Sequence, residues 1–531
     1  MPNTGRPSLD CHLCRQRRVK CDLARPACQR CTKYGAVCPG YRDQQALVFR
    51  NADPSTLKRR HGKKRNAVGA SAASSSSEAS AAAETSGVLV TRPGFVDAPP
   101  LMTLGRQVTE HWTAQSVPLL LDVYSTMDFL RAAYATASRG GPLLWAAHVF
   151  AGTYVTNVRY PTEVACARRA ESRRELAVYM GKALRAVNRA LAAPGGACRD
   201  DILAAVWVLA NHEVLAGTLG RQQPVNAWQL HARGLYVILQ ARGSAPLRTA
   251  AGRTAFWPAF NIVQLQALIL NTACPAETDE WLGICESGLF EGEELTLRIA
   301  QYVARVCDVQ SRVMRHLRGA DFRGASDDYL DLRQALLDAD ETFAEYLRNA
   351  VPPAPEACCH QHPNKTMDVY MRNVRCAAVI RSHHQMQMLC NLLTHYAPCP
   401  VSLDELLAHR RSSLQRVNES AQAVIDSLPA AMAPLMRTTV LKSPHVLFDA
   451  MKLVFPLFLV AHVPSTPQEH KDVALRALVF IGKEVGIRQA LMGDGPTMPL
   501  PAEARVPFTM DLMAEPPWVS TPPRDYTVLG F

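Results

Sequence analysis

Residues 11–38 contain six cysteines, Cys11, Cys14, Cys21, Cys28, Cys31 and Cys38, whose spacing is one short unit, C-x2-C-x6-C, repeated at an offset of seventeen residues. Stray core thiols or a redox pair would not be written twice in one register, whereas thiolates gathered around a metal suit such a repeat. Zinc takes four ligands in a tetrahedron at about 2.3 Å from sulfur, so two separate ions would need eight thiolates. Six suffice if two of them bridge both ions, and the pseudo-twofold repeat nominates the equivalent pair Cys11 and Cys28. Each half is then expected to be a C-x2-C turn followed by a short helix reaching back to the third cysteine. So small a module has too little apolar core to fold by burial alone. Metal binding is expected to supply much of its folding free energy, about 10–16 kcal/mol for a structural zinc site.

The formal charge of +11 is concentrated around this cluster. Residues 1–66 hold sixteen Lys and Arg against four Asp, a net +12, so the remainder of the chain sums to −1. Two zinc ions on six thiolates would remove two units and still leave the segment strongly basic, which makes phosphate backbone its natural partner. Arg15, Arg17, Arg18 and Lys20 fall between Cys14 and Cys21. A short helix there is expected to carry all four, with its N-terminal end directed into a major groove. The planar guanidinium fork matches guanine O6 and N7, so Arg17 and Arg18 are the candidate base readers. Arg15, Lys20, Arg25, Arg30 and Lys33 are expected to hold phosphates and set orientation without reading sequence.

This stretch resembles the binuclear zinc cluster, or Zn2Cys6, fungal transcription factors. The six cysteines carry the likeness, together with Arg15-Gln16-Arg17-Arg18-Val19-Lys20-Cys21-Asp22, Pro26 and Gly40-Tyr41-Arg42-Asp43-Gln44, and the cysteine spacing shows no departure. The resemblance implies two Zn2+ per chain bridged by Cys11 and Cys28, a loop turned by Pro26, and readout of CGG triplets in double-stranded DNA. It further implies a nuclear protein that regulates RNA polymerase II genes together with transcription coregulators. Relatives commonly control a nutrient pathway or a secondary-metabolite gene cluster, and the second is the expectation adopted. Many relatives follow the cluster with a coiled coil, but residues 44–57 offer no sustained heptad and Asp53-Pro54 interrupts any helix there. A paired site read by a coiled-coil dimer is therefore not expected. Homodimerisation through the rest of the chain and binding as a monomer both stay open. The competing class is a zinc-stabilised protein-interaction regulator without sequence readout, and the basic residues beside the cysteines argue against it.

The remainder divides by composition. The domain expectation is a DNA-binding module at 7–43, a basic and Ala/Ser-rich flexible linker at 44–100, a large all-α regulatory domain at 101–498 and a Pro-rich tail at 499–531. Within the linker, Lys58, Arg59, Arg60, Lys63, Lys64 and Arg65 read as a signal for a nuclear import receptor, with a phosphate-binding arm as the alternative. Residues 67–87, dominated by Ala, Ser and Glu, lack the large apolar side chains that would offset the entropy of ordering. Beyond them the apolar spacing of three and four is helical, giving a mainly α chain. Leu184, Val187 and Leu191 mark one helix face before Pro194-Gly195-Gly196, and Asp200 or Asp201 is placed to cap a second helix through Ile202, Val206 and Leu209. The segment Trp228 to Gly243, with Leu235, Ile238 and Leu239 on one face, resembles part of the helical regulatory region found downstream of such clusters.

Enzymatic readings find little support. His212-Glu213 begins like a zinc-protease motif, but Ala216 stands where the second histidine must be, and no phosphate-binding loop, nucleophile elbow or dinucleotide fingerprint occurs. Cys358, Cys359, His360 and His362 have poor geometry for one tetrahedral site, and His383 and His384 are expected on a helix surface or in the core. Residues 327–347 are read as an amphipathic helix of the body, with coactivator docking as the rival reading there and around Trp518 and Tyr526. The opening ten residues show no apolar signal core and the longest apolar run, 453–461, is far short of a membrane span, so no membrane association is expected.

Overall fold

The structure, a computed structural model, describes residues 11–17, 19–24, 27–39, 112–160, 167–219, 226–349, 363–396, 398–437, 444–492 and 500–505. It divides into two compact units, Met1–Leu89 and Val90–Phe531. Among the described residues every regular element is helical and no strand occurs.

The first unit contains two five-residue helices, α1 (His12–Gln16) and α2 (Gln29–Lys33). Their starts differ by the seventeen-residue repeat, and their hydrogen bonds repeat with them. Val19 N–H donates to the Cys14 carbonyl at 3.0 Å as Ala36 N–H donates to Cys31 at 3.1 Å, and Arg17 N–H donates to Leu13 at 3.0 Å as Tyr34 N–H donates to Arg30 at 3.2 Å. The core of this unit is made of the cysteines themselves, with Leu13 packed against them.

The second unit is a body of α3 (Ser116–Val123), α4 (Asp128–Thr136), α5 (Pro142–Arg159), α6 (Ala167–Leu191), α7 (Asp200–Ala216), α8 (Ala227–Arg242), α9 (Ala250–Leu270), α10 (Thr278–Ser287), α11 (Glu294–Gly319), α12 (Phe322–Asn349), α13 (Pro363–Thr394), α14 (Leu403–Arg437), α15 (Pro444–His462) and α16 (Gln468–Phe480). Two hydrophobic clusters form its interior. One gathers α3 to α9 with α15 and α16, and the other centres on α11, α12 and α13. α7 is apolar around most of its circumference and is accordingly buried along most of its length, as expected of a helix without a polar face. It ends at Gly217, whose φ of 69° is the left-handed closure that glycine adopts without steric cost.

Several local expectations are revised by packing. Neither Asp200 nor Asp201 caps α7, because Arg199 occupies the cap position; Asp201 instead receives Arg199 Nε at 3.0 Å and Nη2 at 2.6 Å, and both carboxylates face the positive end of the helix. On α6, Val187 is buried beside Ala183, but Leu184 and Leu191 are exposed, since the contact stripe runs through the smaller residues. α8 follows its sequence closely: the Asn226 side chain accepts the Trp228 N–H at 2.9 Å, Leu235, Ile238 and Leu239 are buried, and the helix ends at Gly243.

His383 and His384 lie in the core of α13. His383 sits 3.2 Å from Asp340 Oδ2 and 3.4 Å from Ser413 Oγ, and His384 is 2.8 Å from Ser465 Oγ. Residues 327–347 belong to α12, with Tyr329, Leu332, Leu336 and Phe343 buried and Leu330 exposed, the pattern of an amphipathic helix of the body. His212 and Glu213 are committed internally: His212 Nε2 lies 3.1 Å from Thr153 Oγ1, and the Glu213 carboxylate takes the Thr218 hydroxyl and lies 3.6 Å from His231. Among the described residues no helix is long and apolar enough to cross a membrane.

Candidate metal centre and nucleic-acid interface

Each half of the small unit begins with a cysteine whose sulfur organises the helix after it. Cys11 Sγ accepts the Cys14 N–H at 3.4 Å and Cys28 Sγ accepts the Cys31 N–H at 3.3 Å, so each sulfur takes one of the amide groups a helix start leaves unpaired. The Asp22 carboxylate adds a second acceptor at the start of α2, taking the Gln29 N–H at 3.0 Å. The chain turns just before this at Leu23, which has a left-handed φ of 61°.

The six sulfurs form two groups of four, Cys11, Cys14, Cys21 and Cys28 in one, and Cys11, Cys28, Cys31 and Cys38 in the other. Cys11 and Cys28 are common to both, the pair that the repeat nominated as bridges. Within these groups the sulfur–sulfur separations are 3.7 Å for Cys11–Cys28, 3.6 Å for Cys11–Cys31 and 3.6 Å for Cys14–Cys28, and Cys14 and Cys31, which share no group, lie 4.0 Å apart. A zinc tetrahedron with bonds of about 2.3 Å has edges of about 3.8 Å, so the separations within each group suit thiolate-bound zinc. Among the described residues these are the sets of Cys, His, Asp or Glu close enough to share a metal.

Acid–base chemistry fits the same reading. Burial pushes the Cys14 thiol up to about 12 and raises Cys28 and Cys31 as well. Burial also acts on Cys21, but hydrogen bonds from the backbone of Cys11 and Leu23, together with those to the Cys28 and Cys11 side chains, outweigh it and bring the thiol down to about 7. Thiols packed this closely resist carrying charge together until a cation neutralises them, which is the service that zinc performs.

The basic residues distribute differently from the expected single helix. α1 starts at His12 and ends at Gln16, so it carries Arg15 alone of the four; Arg17 stands in the turn beyond it and Lys20 in the irregular segment leading to Cys21. The helix stops because the chain must leave it to return Cys21 to the sulfur group shared with Cys11 and Cys14. Arg30 and Lys33 are exposed on α2. Arg18, Arg25 and Pro26 lie outside the described residues, as do 40–44, the import candidates Lys58, Arg59, Arg60, Lys63, Lys64 and Arg65, and the Cys358, Cys359, His360 and His362 cluster.

One partner was missed. The Arg17 guanidinium stacks on the Tyr34 ring, 3.2 Å from its centroid. Tyr34 stands seventeen residues after Arg17, so the stacked pair are equivalent positions of the two units. The repeat itself was the signal, since a pseudo-twofold axis brings equivalent positions near one another.

Residues 10–46 match the family model of the Fungal Zn(2)-Cys(6) binuclear cluster domain. No curated protein and no solved structure matches the chain. The N-terminal unit therefore carries a two-zinc cluster domain, of the kind that serves fungal DNA-binding transcription factors, with six cysteines positioned to hold both ions.

Proposed function

We propose that this chain is a nuclear regulator of RNA polymerase II transcription whose zinc cluster reads CGG-type sites and whose helical body regulates that activity. The observation that carries the reading is the pair of four-sulfur groups sharing Cys11 and Cys28 within a strongly basic segment that matches the cluster family. In this reading Arg17 and Arg18 contact guanine edges, and Arg15, Lys20, Arg25, Arg30 and Lys33 hold phosphates. The domain division at 7–43, 44–100, 101–498 and 499–531 follows the same scheme of reader, tether, regulatory body and tail. The chain acts by binding and has no catalytic role. Coregulators are the partners assigned to the body, which is also where two copies would pair if the site holds two triplets, and control of a secondary-metabolite gene cluster is the pathway reading.

Arg18→Ala is expected to weaken binding at one base pair by about 1–3 kcal/mol and to relax discrimination there, whereas Lys20→Ala should weaken all sequences alike and reduce the salt slope by about one. Anisotropy titrations on matched and scrambled duplexes over a range of salt separate the two. Equal loss from Arg18→Ala on both duplexes would remove its role as a reader. A salt-independent interaction would favour the rival class, a zinc-stabilised platform for protein contacts.

Tyr34→Ala frees Arg17 and is expected to leave zinc content unchanged while weakening specific DNA binding by about two- to fivefold, the scale of an exposed cation–π contact of about 0.5–1 kcal/mol. Tyr34→Phe keeps the ring and should bind as the parent does. Equal affinities for all three proteins would show that the stack plays no part.

Lys58, Arg59, Arg60, Lys63, Lys64 and Arg65 are assigned to the import receptor, whose acidic groove a dense cationic run complements. Deleting Lys63, Lys64 and Arg65 should lower nuclear accumulation of a fluorescent fusion without altering its zinc content. Undiminished accumulation would return these residues to the phosphate-arm reading.

A further inference from the structure

The helical body contains a cleft of about 400 Å³ where its two hydrophobic clusters meet, bounded by α7, α9, α13, α15 and the turn before α11. Its volume is within the range of small-molecule sites. Trp207, Trp257, Phe290, Tyr370 and Phe448 contribute to its wall, giving the interior a large aromatic share.

The polar groups of the wall are unequal. Its side-chain nitrogens already have acceptors inside the protein: Trp207 Nε1 donates to the Pro258 carbonyl at 3.0 Å, Trp257 Nε1 to Glu293 at 3.2 Å, Asn211 Nδ2 to the Trp207 carbonyl at 2.9 Å, and Asn261 Nδ2 contacts Met371 Sδ at 3.9 Å. One N–H of each asparagine amide is thus committed, and among the remaining groups of the wall acceptor oxygens outnumber donors. Asn211 and Asn261 line the cleft with their amide groups, and Glu291 with an exposed carboxylate. Thr254 adds a backbone carbonyl, because Pro258, one turn on within α9, has no N–H to give it.

The charges around the cleft are likewise spent. Arg253 Nη1 holds Glu293 at 2.7 Å, and Lys452 bonds Asp449 at 3.2 Å while its ammonium lies 3.9 Å from the Phe448 ring centroid. Glu291 is left as the net charge of the wall, which disfavours an anionic guest.

We infer that this cleft is a binding site for an uncharged planar aromatic compound of two or three rings bearing hydroxyl or amino donors. The rings pack against the aromatic side chains of the wall, and the donors meet its oxygens. Because the walls come from both hydrophobic clusters, an occupant ties the two together and stabilises the body as a whole. The inference stands on the cleft alone and is independent of what the zinc cluster reads.

The test is calorimetric titration of the zinc-loaded full chain with 2,6-dihydroxynaphthalene. One saturable site per chain is expected, together with a raised melting temperature. The acceptor-only 2,6-dimethoxynaphthalene should bind at least tenfold more weakly, and naphthalene-2,6-dicarboxylate should not bind. Thr254→Trp, at the exposed rim, should fill the cleft and abolish binding while DNA affinity and the ligand-free melting temperature stay within those of the parent; Ala250→Phe, one turn earlier, serves if that variant does not fold. Asn261→Leu should weaken the dihydroxy compound about tenfold and leave the dimethoxy compound unchanged. Absence of saturable binding, equal affinity for the two uncharged naphthalenes, or undiminished binding to the filled variant would each overturn the assignment.

Discussion

Cys28→Ser is expected to release both zinc ions and unfold the N-terminal unit, whereas Cys38→Ser should leave one ion in place. Cys28 belongs to both four-sulfur groups, lying 3.7 Å from Cys11 and 3.6 Å from Cys14, and its sulfur also takes the N–H that starts α2. Its loss breaks two tetrahedra and a helix start at once. Cys38 is half-buried and belongs to one group, so without it Cys11, Cys14, Cys21 and Cys28 still complete a tetrahedron. The cost is large because the core of this unit is its cysteines and little besides Leu13, leaving no independent source of stability. A structural zinc site contributes about 10–16 kcal/mol, more than a module of this size can replace. Native mass spectrometry counts the ions, and circular dichroism with and without chelator reports the fold. Two zinc ions retained by Cys28→Ser would contradict the bridged arrangement.

Arg253→Ala should be the most damaging single change in the helical body, costing about 3–5 kcal/mol, the range for removing one partner of a buried ion pair. The Arg253 side chain is 2% exposed and Glu293 15% exposed, so solvent screens the pair little. Besides holding Glu293, the guanidinium donates to the carbonyls of Leu247 at 2.6 Å, Cys285 at 3.2 Å and Ile284 at 3.2 Å, tying α9 to the segments that flank it and to the end of α10. Truncation leaves the Glu293 carboxylate without its counter-charge, with only the Trp257 and Phe290 N–H groups as donors, and strips three carbonyls of this donor. Arg253→Lys is expected to recover little, since one ammonium cannot reproduce the fork. Denaturant midpoints measure the loss, and a cost below about 1 kcal/mol would show that water or neighbouring side chains take over the role.

The cluster was legible in the sequence because metal geometry depends on a few ligands at set intervals and hardly on the remainder of the fold. Spacing alone nominated Cys11 and Cys28 as bridges, and these are the two sulfurs common to both four-cysteine groups. The mainly helical class was legible for a related reason, since apolar residues recurring at three and four need only local order to form a face. What sequence could not supply was the neighbour on that face. Leu184 and Val187 are equivalent by periodicity, yet Val187 is buried and Leu184 exposed, because α5 and α7 decide which line of α6 is covered. Likewise Asp201 has the chemistry of a cap but pairs with Arg199 once the helix start falls one residue earlier. The cleft had no sequence signal at all: Trp207, Trp257, Tyr370 and Phe448 look like ordinary core aromatics until four separate helices bring them around one space.

The central claim is that the zinc cluster reads DNA sequence, and selection of bound sequences from a random duplex pool by the zinc-loaded full chain, in parallel with Arg18→Ala, tests it most directly. Enrichment of CGG-containing sites by the parent, lost at one base position in the variant, is the predicted result, and the number and spacing of triplets would state whether one or two copies bind. A pool left unenriched by protein confirmed to hold two zinc ions would contradict the claim and assign the basic cluster to protein contacts instead.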